Sequence, residues 1–110
     1  MRPIERITQK MFSDHAAYLR LVCDEMKVSA LDVMSKKRDQ RTTMARHLVM
    51  WALHRFTDAT STQIGNMMCR DHASVLYGIG AVEDNLRMPY ADETRKIVDL
   101  LMKKGEELAS

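Results

Sequence analysis

Glycine and proline are scarce in this chain, with four of one and two of the other in 110 residues. A sandwich or barrel of many short strands needs more turn residues than that, so packed helices are favoured over a sheet. Aromatic residues make up only 5% of the sequence, which leaves aliphatic side chains and ten methionines to fill the core. No apolar run is long enough to cross a membrane. Arg2, Glu5, Arg6 and Lys10 break up any secretory leader at the start. The two cysteines, Cys23 and Cys69, are too few for a disulfide framework and read as free thiols of a reducing cytoplasm. Together with the four histidines they show no zinc-ligand spacing, and no metal or other cofactor is expected. No Gly-x-x-x-x-Gly-Lys-Ser/Thr run is present to cradle a nucleotide. Asp14 and His15 are sequence neighbours, and adjacent helical residues do not share a face. No nucleophile has an evident base, so the chain does not read as an enzyme.

What is present is a basic centre. The net charge is only +2, but its distribution is uneven. Residues 1–34 carry five positive and five negative side chains, residues 35–72 seven and three, and residues 73–110 five and seven. Positive charge thus gathers where phosphate contacts would be wanted.

The hydrophobic pattern is helical throughout and fits one domain of 110 residues with one modest core. Residues 3–27 read as a long helix, with Pro3 in its first turn and Ile4, Ile7, Met11, His15, Tyr18, Val22 and Met26 on one side. Ser29 and Asp32 have the spacing of a capping box before a short helix, and residues 35–40 form a charged loop. Residues 42–56 carry Ala45, Leu48, Val49, Ala52, Leu53 and Phe56 at offsets of three and four, widened by Met50 and Trp51, and should be central. Thr60 and Gln63 form a second capping-box pattern before a short helix over 61–68. Cys69-Arg70 is then a turn, and Asp71 caps a helix that puts Val75, Ile79, Val82 and Leu86 in the core with Leu76 beside them. Gly78 and Ala81 fall nearer the opposite side. Pro89 ends this helix, and a last one covers about 90–108.

Two short helices joined by a tight turn, with polar residues opening the second, are the arrangement of a helix-turn-helix. The pieces Met34-Ser35-Lys36-Lys37-Arg38, Ala45-Arg46-His47-Leu48-Val49-Met50, Ile64-Gly65 and Arg70-Asp71-His72 with Ser74-Val75 follow in a specific order. In these pieces residues 22–87 resemble the C-terminal DNA-binding domain of the bacterial replication initiator DnaA. The resemblance implies an all-α, TrpR-like helix-turn-helix domain, here with an added N-terminal and C-terminal helix, that reads a short asymmetric box in double-stranded DNA. It places Arg38 in the minor groove, Lys36 and Lys37 by the backbone, and Arg46 near phosphate, with Arg41 adding to the same basic region. It sets Ser61 and Thr62 at the groove edge and Arg70, Asp71, His72, Ala73 and Ser74 at the start of the recognition helix, with Tyr77 one turn on. Elementary chemistry agrees: a loop arginine suits a narrow minor groove, and Asp can accept from a cytosine amino group.

The chain departs from the family pattern at four places. Ala73 stands where threonine is usual, Met67-Met68-Cys69 makes the turn one residue shorter, Tyr77 replaces a histidine, and Gly80 and Ala81 replace positions that are often basic. Removing one cation from the phosphate backbone lowers the salt slope of binding by roughly one unit. The expected function is sequence-specific duplex binding that regulates replication or transcription, by a reading head without the ATPase module, in a bacterial or phage nucleoid. The alternative is a protein-interaction or assembly module that keeps the fold, with helices 3–27 and 90–108 forming a homodimer or holding a partner.

Overall fold

Most helices of this protein begin on a side chain that can hold a free first-turn amide, and those caps set the boundaries. A computed structural model describes residues 6–109 and contains six α-helices among them, with no strand. They are α1 (Gln9–Met26), α2 (Ala30–Met34), α3 (Gln40–Phe56), α4 (Ser61–Met68), α5 (His72–Leu86) and α6 (Asp92–Ala109). Thr8 accepts from the Met11 amide at the head of α1, and Asp39 accepts from Thr42 at the head of α3. Thr60 and Gln63 make a complete capping box on α4, and Asp71 accepts from the Ser74 amide at 2.7 Å on α5. Asp92 and Glu93 place negative charge in the first turn of α6, where the helix dipole favours it.

α3 is the hub. It packs against each of the other five helices and buries Ala45, Leu48, Val49, Met50, Trp51, Ala52 and Leu53. A helix apolar over so much of its surface is a core helix. Around it, α1 contributes Tyr18, Val22 and Met26, α5 contributes Val75, Ile79 and Val82, and α6 contributes Ile97 and Leu101. Met26, Met50, Met67 and Met68 are buried fillers of this core. The Phe56 ring meets Trp51 edge-on at 5.6 Å and lies over Gly105, where an added Cβ would come within 2.9 Å of it. α6 is thus pressed onto the end of α3.

Four details differ from what the sequence predicts. α1 begins at Gln9 rather than in the region of Pro3. Residues 6–8 are not helical, and the Gln63 side chain donates to the Arg6 carbonyl at 2.8 Å and holds that lead in place. Pro3 and Ile4 lie outside the described residues. Ser29 caps α2 through the Leu31 amide, while the Asp32 carboxylate turns to Lys37 at 3.3 Å and closes no capping box. Leu76 is exposed, not part of the core. Gly78 is buried against α3, where a Cβ would meet His47 and Met50 within 3 Å.

Two histidines are enclosed by this packing. His15 on α1 contacts the Met68 sulfur on α4 at 3.0 Å, and His47 on α3 lies under Gly78 and Tyr77. Burial pushes both imidazoles below their ordinary value of 6.5, and the Arg46 charge adds to the effect on His47. Between 6.5 and the lower native values the unfolded chain holds more protons than the folded one, so stability rises with pH across that window. The thermal midpoint should therefore flatten about one unit above 6.5 and fall as the pH drops through 6.5. Replacing His15 with glutamine should flatten part of that slope in a melting series.

Candidate nucleic-acid interface

The basic loop and the turn before α5 are far apart in sequence, yet one carbonyl joins them. Ser35 ends α2, and its hydroxyl donates to the Asp32 carbonyl and accepts from the Lys37 amide. The Ser35 carbonyl then receives an Nη2 hydrogen bond from Arg46 at 3.0 Å and another from Arg70. Arg70 also donates to the carbonyl of Cys69, the residue whose left-handed backbone (φ 58°) makes the turn. The loop over 35–39 is thereby held beside the first turn of α5.

Arg46 does not stand where the resemblance puts it, free to meet phosphate. It is 95% buried, and its guanidinium donates to the carbonyls of Asp32, Val33, Ser35 and Lys37. It is a clamp inside the loop, and the side chains that project from the loop carry the accessible charge. Burial and the neighbouring Arg70 charge both push its pKa down. Two guanidinium groups sharing one carbonyl make this corner electropositive, and an anion in front of it would relieve their repulsion.

The other cations divide into two groups. Lys37 pairs with Asp32 and Asp39, and Arg41 makes a two-pronged bond to Glu93 while donating to the Met26 carbonyl. Arg41 therefore ties α3 to α6 and to the end of α1. Lys36 and Arg38 are exposed and have no partner among the described residues. They are the uncommitted charges of the loop.

On α5 the four residues Asp71, His72, Ala73 and Ser74 are all exposed, and Val75 behind them is fully buried. Asp71 is held ionised, because the Ser74 amide and hydroxyl pull its carboxyl below the usual range. Tyr77 is 73% exposed and meets the edge of His47 at 5.9 Å. Ser61 and Thr62 occupy the first turn of α4, the first partly exposed and the second exposed. A groove of about 460 Å³ runs between the loop and α5, lined by Arg38, Thr43, His47, Arg70, Ser74 and Tyr77 among others. Sequence reasoning passes over Thr43 and, as a groove residue, His47. The available signal is two polar residues one turn apart, Thr43 and His47, on the same face of α3.

A loop of free cations clamped beside an open helix start is a geometry for a phosphate backbone, and comparison with known proteins agrees. Residues 17–82 match the family described as the bacterial dnaA protein helix-turn-helix. The chain belongs to this family. The match begins within α1 and ends within α5, so it takes in the basic loop and both helices of the motif. Among relatives, the chromosomal replication initiator protein DnaA of Gloeobacter violaceus is 43% identical over 70 residues, 63% of this chain and 16% of that protein. DnaA of onion yellows phytoplasma is 30% identical over 84 residues, 76% of this chain and again 16% of the relative. DnaA of Bacteroides thetaiotaomicron is 29% identical over 90 residues, 79% of this chain and 19% of the relative. The chain thus spans less than a fifth of the length of these initiators. What it shares with them is the DNA-binding helix-turn-helix, not the ATPase module. No helix among the described residues is long and apolar enough to cross a membrane.

Proposed function

We propose that the chain reads duplex DNA sequence-selectively, with the start of α5 in the major groove and Arg38 in the adjacent minor groove. The observation that carries this is the joint at Ser35. Arg46 and Arg70 fix the basic loop beside the recognition helix and leave Lys36, Arg38 and His72 exposed. Lys36 meets the phosphate backbone. His72 and Ser74 meet base edges or phosphate, and Ala73 touches a thymine methyl. Arg46 acts through the loop it clamps. Occupancy of initiator-like boxes would regulate replication or transcription, and this last step rests on likeness to the initiators.

Selection from random duplex DNA at moderate salt tests the reading. A recovered consensus is expected, and a flat outcome sinks specific recognition. On the selected site, His72→Ala should cost about 1–3 kcal/mol and relax preference at one base pair. Arg38→Ala should cost a similar amount only where the flanking minor groove is narrow and A·T-rich. Equal loss on every sequence would demote Arg38 to a phosphate contact.

A second reading has one observation in its favour. Leu76, Tyr77, Met88 and Tyr90 form an exposed apolar surface along α5 and the turn to α6. An assembly module would cover it. That reading expects a concentration-dependent dimer in sedimentation and no consensus in the selection.

A further inference from the structure

A second cleft lies between the first half of α3, the last half of α5 and the start of α6. Its volume is about 290 Å³, close to the lower end of the range for small-molecule sites. Met44, Leu48, Ala81 and Val82 give it apolar walls. Gln40, Thr43, His47 and Thr94 add polar lining, and two further polar side-chain groups, of Asn85 and Arg38, lack partners among the described residues. Asn85, in the last turn of α5, has a buried side-chain oxygen with no hydrogen-bond partner in the protein. Buried acceptors in that condition are uncommon, because each forfeits its water without compensation. Arg38 also lines the cleft, and among the described residues it has no acidic partner.

We propose that this cleft binds a small, flat monocarboxylic acid that also carries a hydroxyl or amine. The carboxylate pairs with Arg38, the ring lies between the Met44 and Val82 walls, and the second group donates to Asn85 Oδ1. One six-membered ring with two substituents is small enough for a cleft of this size. The acid and a DNA minor groove then compete for the same guanidinium. The binding itself does not rest on DNA recognition, since it is measured without DNA.

The probe is 4-hydroxybenzoate, titrated into the ¹⁵N-labelled full chain with amide shifts followed by NMR. Saturable shifts are expected at Ala81, Val82 and Asn85, with a Kd on the order of a millimolar, as suits a molecule of this size. On the same wild-type protein 4-methylbenzoate, which has no donor, should bind about fivefold more weakly, the loss of one hydrogen bond. Arg38→Ala should weaken 4-hydroxybenzoate by a comparable factor and leave the uncharged 4-hydroxybenzyl alcohol unaffected. Asn85→Leu should abolish the difference between the hydroxy and methyl acids. Shifts that stay linear with concentration, or that map to another face, overturn the proposal. So does equal affinity of the two acids for the wild type, a result that needs no variant to fold.

Discussion

Arg46→Ala is expected to lower the thermal midpoint by on the order of 15 °C, as follows from a loss of about 3 kcal/mol in a domain this small. The guanidinium is buried and donates to four main-chain carbonyls, of Asp32, Val33, Ser35 and Lys37. Deleting it leaves acceptors without partners and opens a hole where the side-chain stem packed. Lysine should restore less than half of the loss. A single ammonium cannot reproduce the planar fork that reaches carbonyls on successive residues of a loop. The same variant should bind DNA less well even at a temperature where it is fully folded, because Lys36 and Arg38 project from the loop that Arg46 shapes. Circular-dichroism melts and a binding titration at low temperature separate the two effects. A drop of only a few degrees with unchanged affinity would show that the loop holds itself.

The role of Arg46 is not legible in the sequence, and the reason is physical. Ala45 and Leu48 mark the buried face of α3, and an arginine beside them reads as a rim charge, since arginine is rarely buried without partners. Its partners are carbonyls, which every residue has, so no residue type announces them. The caps are legible for the opposite reason. Thr60 with Gln63 and Asp71 before the second helix act on amides three residues away, and both form as their spacing predicts. The central place of α3 is legible too, because a helix apolar on more than one side has to be surrounded. Gly78 reads as nearer the open side and is not. Its position depends on how closely α5 approaches His47 and Met50, and that distance belongs to the packing of two helices. The start of α1 escapes the sequence for a similar reason. Pro3 suits a first turn, but the Gln63 side chain, 57 residues along from Arg6, holds the Arg6 carbonyl.

The division of the cations likewise needs the fold. Lys36, Lys37, Arg38 and Arg41 look alike as a run of positive charge. In three dimensions Arg41 faces Glu93 across 52 residues of sequence and Lys37 sits between two aspartates, so only Lys36 and Arg38 remain uncommitted. That separation sharpens the consequence of the departures at Tyr77, Gly80 and Ala81. With fewer basic positions beyond the first turn of α5, the proposed DNA binding would leave the free loop cations a larger share of the electrostatic term. Lys36→Ala should then lower the salt slope of binding by about one unit, whereas Lys37→Ala, which frees two aspartates, should change it differently from a simple charge deletion.

Gly65→Ala is expected to cost about 2–3 kcal/mol, a large loss for one methyl group. Gly65 lies within α4 where the chain turns back into α5. Its carbonyl accepts from the amides of Cys69 and, at 2.8 Å, of Arg70. A Cβ built there would stand 2.4 Å from the Arg70 carbonyl oxygen and 3.4 Å from the main chain of Asp71. That obstacle is backbone, so no rotamer change relieves it. Either the turn opens or α5 moves away from α4, and both disturb the step that points Asp71, His72 and Ser74 outward. Affinity for DNA should therefore fall by more than the loss of folded protein explains. Gly80→Ala is the matched control. It lies in the middle of α5, and a Cβ there meets nothing within 4 Å. Alanine should stabilise the helix by about 0.5–1 kcal/mol, since it removes backbone freedom from the unfolded chain. The two substitutions add the same atom to neighbouring helices and should move the melting temperature in opposite directions. If both raise it, the close approach at Gly65 does not govern how the two helices of the motif meet.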